Sequence, residues 1–127
     1  MKTRYTVALS ICAGVAAGAA AVQALHAEAR PPVYVIAEID VTNPEPYDKG
    51  YVPGAIKAIA DGGGKYIVRG GETTVIFGEP PKRIAVMVFE SMDKARAVFD
   101  SATYKEAKKV GDKYATFRVY TVEGMTP

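Results

Sequence analysis

Between Val33 and Asp40 (VYVIAEID) apolar residues fill nearly every position, and a run of that length rich in β-branched side chains predicts a strand. Asn43, Pro44 and Glu45 then supply a helix cap, a first-turn proline and a first-turn acid. Tyr47, Tyr51, Ala55 and Ile59 recur at every fourth position and so share one helical face, which Gly62, Gly63 and Gly64 bring to an end. Pro53 lies inside this pattern, where it removes the hydrogen bond to Lys49 and divides the helix into two pieces. Lys65 to Arg69 (KYIVR) predicts a second strand stopped by Gly70 and Gly71, with Thr73 to Phe77 as its extension beyond a bend and Pro80, Pro81 as the turn into a third strand, Arg83 to Phe89 (RIAVMVF). Ser91 caps a helix carrying Ala95, Val98 and Phe99, Ser101 caps a further helical segment through Val110, and Thr116 to Val122 (TFRVYTV) is the last strand.

The order βαββαβ predicts an α+β fold of the ferredoxin-like kind: two β-α-β units forming a four-stranded antiparallel sheet with helices on one face. In the first and third strands both faces are apolar: Val33, Val35, Ala37 and Ile39 against Tyr34 and Ile36, then Ile84, Val86 and Val88 against Ala85, Met87 and Phe89. Helices on one side cover only one of those faces. A second apolar face calls for a partner sheet, most simply from an identical subunit, so a homodimer is expected.

Composition changes this picture mainly at the N-terminus. Residues 1–29 have a basic start (Lys2, Arg4), an Ala/Gly/Val-rich stretch from Tyr5 to Val22 and a small-x-small site at Ala27, Glu28, Ala29, which is the pattern of a signal peptide and predicts an N-terminal signal helix. The alternative is an uncleaved membrane anchor, for which Gly14 and Gly18 have helix-pairing spacing; contact with a membrane is expected only in that case. The expected domain is therefore residues 30–127, periplasmic or secreted. Cleavage removes the single cysteine, Cys12, and the single histidine, His26, so no metal or other cofactor is expected: an axial-histidine haem has no ligand and a conventional zinc site lacks its donors. The remaining charge is near balance, and nucleic acid is not an expected partner. Lys105, Lys109 and Lys113 form a stripe, but Glu106 and Asp112 interrupt it, and it reads as a solvated helix face.

YVIAEIDVT at the first strand, Tyr47, GGKYIVRGG from Gly63 to Gly71, the Ser101 to Tyr104 spacing and the closing Val122, Glu123, Gly124 together resemble the bacterial family known as domain of unknown function 1330. The chain departs from that family's pattern at Ala102 and Thr103, where Pro and Glu are frequent. The resemblance spans essentially the whole expected domain and implies a dimeric α/β barrel of ferredoxin-like subunits. It brings no established reaction and no catalytic residue.

Arg69 is the first candidate for a binding role, because a guanidinium at a strand end beside two glycines can hold a carboxylate or enolate with its donor fork. Its competing role is a structural ion pair with Glu38, Asp40 or Glu90. Three residues separate it from Tyr66, so the two face opposite sides of a regular strand and meet only across a bulge. Tyr47 and Tyr66 are the next candidates, and Tyr34, Tyr51, Phe89 and Tyr104 are expected to line any cavity for a small apolar or aromatic ligand. Glu38 and Asp40 share one face of the first strand and form a candidate acid/base pair or, alternatively, ion pairs near a strand end. The leading expectation is a small-molecule-binding dimer. A cofactor-independent enzyme of monooxygenase or isomerase type is the alternative on fold analogy. A structural interaction module is the third reading, and a closed, dry core would favour it.

Overall fold

The computed structural model describes residues 30–126; the signal-peptide expectation for residues 1–29 lies outside them. Four strands, β1 (Val33–Val41), β2 (Lys65–Arg69), β3 (Arg83–Phe89) and β4 (Ala115–Glu123), form one sheet in the order β2-β3-β1-β4, with every neighbouring pair antiparallel. Between them run α1 (Pro44–Gly50), α2 (Val52–Asp61), α3 (Met92–Asp100) and α4 (Ala102–Tyr114). This is the ferredoxin-like βαββαβ arrangement, with each helical region broken into two.

Strand parity decides what is buried. Val33, Val35, Ala37, Ile39 and Val41 alternate with half-exposed residues along β1, and Ala85, Met87 and Phe89 do the same along β3. Antiparallel registers place Ala37 opposite Ala85 and Val35 opposite Met87, so the buried positions form one continuous face beneath the helices. On the other face lie Ile36, Val86 and Val88, only half-buried, together with Val68, Tyr120 and Val122, which are 41–47% exposed.

Tyr47, Tyr51, Ala55 and Ile59 are all buried, as their four-residue spacing predicts. The helix breaks at Tyr51 rather than at Pro53 itself. The amides of Tyr51 and Ala55 still reach the carbonyls of Tyr47 and Tyr51, at 3.0 and 3.1 Å, and Pro53 occupies the first turn of α2, where its missing N–H costs least.

Three local expectations are corrected. Asn43 is extended and makes no side-chain cap bond; its backbone amide instead reaches the Tyr114 carbonyl, as does that of Thr42. The last helix runs on to Tyr114 instead of stopping at Val110, because Gly111 serves contact and not termination: a Cβ there would lie 2.8 Å from the Tyr51 ring. Thr73 to Phe77 is not a strand extension. Gly70 and Gly71, at φ 68° and 96°, turn the chain off the sheet edge, leaving Ile76 and Phe77 83% and 94% exposed in a loop. Ser91 and Ser101 cap as expected, each accepting from the amide three residues on at 3.2 Å. No helix among the described residues is long and apolar enough to cross a membrane.

Candidate functional site

Between the helices and the β2-β3-β1 side of the sheet lies a cavity of about 440 Å³. Its walls are aromatic. Tyr47 and Tyr51 project from α1 and the α1/α2 junction with ring centroids 5.1 Å apart, and Tyr104 from α4 meets Tyr51 edge-on at 6.1 Å. Phe99 packs edge-on against Tyr104, while Met87 and Ala37 from the sheet complete an apolar wall. The hydroxyls of Tyr51 and Tyr104 bond each other at 2.9 Å. Burial drives the ionisation of both upward, strongly for Tyr51, so both remain neutral phenols.

A β-bulge supplies the polar end. Tyr66 pairs with Met87, Val68 with Val86 and Arg69 with Ala85, leaving Ile67 as the unpaired extra residue. Met87 and Ala85 point toward the helices, so the bulge brings Tyr66 and Arg69 onto that same face, against the alternation of a regular strand. The Arg69 guanidinium stacks over the Tyr66 ring at 5.0 Å, and both residues line the cavity. None of the carboxylates proposed as its structural partners holds it. Glu38 and Asp40 face Arg118, at 3.8 and 3.2 Å, and Glu90 pairs with Lys94 at 2.6 Å. Among the described residues Arg69 forms no ion pair.

Arg83 and Asp48 form a second polar element at the cavity wall, one that the sequence patterns did not single out. The guanidinium donates to both Asp48 carboxylate oxygens and lies 5.1 Å over the Tyr47 ring. That hydrogen bond holds the Asp48 carboxyl below its ordinary value and raises Arg83 above its own. Parity puts Arg83 on one strand face with Ala85 and Met87, and only the fold shows that this is the face the helices cover. Burial pushes Tyr47 and Tyr66 up to about 12.

Of the candidate residues, Arg69, Tyr47, Tyr66, Tyr51 and Tyr104 converge on this one cavity. Tyr34 does not join them: its even position in β1 turns it to the opposite sheet face, where its ring lies over Gly124 beside Pro32. Phe89 is buried at the far end of β3 against Ile59 and Gly64 and does not line the cavity either. Glu38 and Asp40 also lie on the open face, where Glu38 accepts from the Tyr120 hydroxyl at 3.0 Å and Asp40 accepts from the Lys82 amide at 3.1 Å. Those bonds and Arg118 make them part of a polar network, not an acid/base pair within the cavity. The Lys82 amide, followed by Arg118, lowers the ionisation of Asp40. Among the described residues no three Asp, Glu, His or Cys side chains cluster as metal donors.

The model of the family described as domain of unknown function (DUF1330) matches residues 32–125. The chain belongs to that family. A protein of unknown function from Rhodopseudomonas palustris has a similar structure, with a TM-score of 0.62 at 15% identity over 77% of this chain and 85% of its own. SnoaB, a cofactor-independent oxygenase from Streptomyces nogalater, is similar with a TM-score of 0.57 at 9% identity, over 76% and 96% of the two chains. At these identities the likeness is one of fold. Among curated proteins none matches the sequence.

Proposed function

We propose that this DUF1330 domain binds a small, partly apolar molecule in the cavity between sheet and helices, with Arg69 orienting its polar end. The observation that carries this reading is the β2 bulge. It turns a guanidinium that has no carboxylate partner among the described residues into an aromatic cavity whose size suits a small ligand. Arg69→Lys keeps the charge and loses the planar fork, so it weakens ligand binding while leaving the melting temperature nearly unchanged; Arg69→Ala weakens binding further. Unchanged affinity in both variants, with a large fall in melting temperature, returns Arg69 to the scaffold.

The polypeptide acts as a homodimer in this reading, joined through the open sheet face, in the periplasm or outside the cell. A second reading, a cofactor-independent enzyme, is favoured by the composition of the cavity: neutral phenol donors and a cation are the groups that stabilise a developing oxyanion. SnoaB is such an oxygenase on the same fold. Turnover without added cofactor, measured on the purified protein, separates catalysis from binding alone. A closed, dry core would have favoured the structural-module reading, and the cavity of about 440 Å³ supports the binding reading instead.

A further inference from the structure

The cavity wall offers a ligand a guanidinium and several phenol hydroxyls able to donate to it. Arg69 carries five N–H groups and no carboxylate partner among the described residues. In the Tyr51–Tyr104 pair one hydroxyl donates to the other, which leaves the pair with one proton that no described protein group accepts, whichever way the bond runs. The hydroxyls of Tyr47 and Tyr66 have no protein partner among the described residues. The carboxylate in the wall, Asp48, is spent on both arms of Arg83. A ligand that complements this wall brings acceptors and negative charge.

The remaining lining narrows the class. Tyr66 and Tyr47 present ring faces already stacked under guanidinium groups, and Met87, Ile59 and Phe99 provide apolar surface. Arg69 is itself exposed, so an anion held there stays partly hydrated, while the aromatic and apolar lining beside it favours an anion whose charge is spread over a conjugated ring. With Asp48 engaged, no carboxylate among the described residues lining the cavity is free to take a proton from the ligand. A ligand held there as an anion gives its proton to solvent, so it is a weak acid whose ionisation the lining cations Arg69 and Lys82 assist.

Building on the binding site proposed above, we infer that it takes a planar, conjugated weak acid, a phenol or an enolisable ketone, and holds it as the phenolate or enolate with the oxyanion toward Arg69. The phenols of the site remain protonated donors over the physiological range and do not compete for that charge.

Two probes of similar shape test this: 4-nitrophenol, which becomes coloured on ionising, and nitrobenzene, which has no acidic proton. Occupancy is read from the Met87 methyl resonance at the cavity wall, and ionisation of the phenol from its absorbance as pH is raised. The ionisation midpoint of bound 4-nitrophenol falls by about one unit, which corresponds to phenolate binding about tenfold tighter than phenol. Arg69→Gln abolishes that fall while nitrobenzene still shifts the Met87 methyl, which shows that the cavity itself is intact. If nitrobenzene binds to the unmodified protein but the midpoint stays put or rises, the ligand class is wrong while the binding reading stands. If neither probe shifts the Met87 methyl, both are wrong. A fall in midpoint that persists in Arg69→Gln overturns the role assigned to Arg69.

Discussion

At the scale of single residues, the site depends on which charges are paired and which are left over. Arg118 satisfies Glu38 and Asp40 on one sheet face, Arg83 satisfies Asp48 at the cavity wall, and Arg69 has no ion-pair partner among the described residues. The Arg83–Asp48 pair gives a signed pH dependence. Asp48 is ionised more easily when folded than its ordinary value of 3.8, so its contribution to stability is complete above that value and is lost as pH falls through it toward the depressed folded value. Asp48→Asn removes this contribution. Thermal melts should place the variant below the unmodified protein at neutral pH, by less than about 1 kcal/mol because the pair is partly solvent-exposed, and the gap should close in acid. A gap that persists unchanged in acid would assign the loss to packing of Arg83 on Tyr47. Arg69, Tyr47 and Tyr66 were legible as candidates because chemistry and a recognisable segment coincide at them. Asp48 and Arg83 were not, since an exposed acid on a helix and a basic residue at a strand start are ordinary until the fold stacks one element on the other.

At the scale of elements, periodicity carried the reading where one rule acted alone and failed where two competed. The Tyr47 to Ile59 face, the Ser91 and Ser101 caps and the alternation along β1 follow from one local rule each, and all are present. α4 runs past the expected end at Val110, and Gly111 within it is held by the close approach of Tyr51, which needs a residue without a Cβ. The bulge in β2 could be named only as a condition, because regular pairing and bulged pairing send Arg69 to opposite faces and the five residues KYIVR permit both. Deleting Ile67, the extra residue, should leave Tyr66, Val68 and Arg69 opposite Met87, Val86 and Ala85 in an ordinary ladder. The fall in ionisation midpoint of bound 4-nitrophenol should then survive the deletion. Its loss, in a variant that still melts cooperatively, would show that the bulge sets the reach of Arg69 as well as its side.

At the scale of the whole molecule, the sheet has one face under helices and another that is apolar and uncovered. Patches of several hundred square ångströms of this kind are uncommon on isolated small domains, and burying one yields about 25 cal/mol per Å². Ile36, Val86 and Val88 lie at the centre of the open face with the Glu38, Asp40 and Arg118 network to one side; in the proposed dimer a twofold axis through the patch would set like apolar surface against like. The sequence alone showed two apolar faces without saying which the helices take; the fold places Met87, 2% exposed, beneath the helices and leaves Val86 outside. The two neighbouring substitutions now have opposite expected outcomes. Val86→Asp puts a charge into the proposed interface and should convert a sedimenting dimer into a folded monomer with a melting curve that remains cooperative. Met87→Asp buries an unpaired charge beside the cavity and should abolish cooperative unfolding altogether. A stable monomer for the unmodified domain at all accessible concentrations would leave the open face without a second copy to cover it. A dimer insensitive to Val86→Asp would move the interface to the exposed edges at β2 or β4.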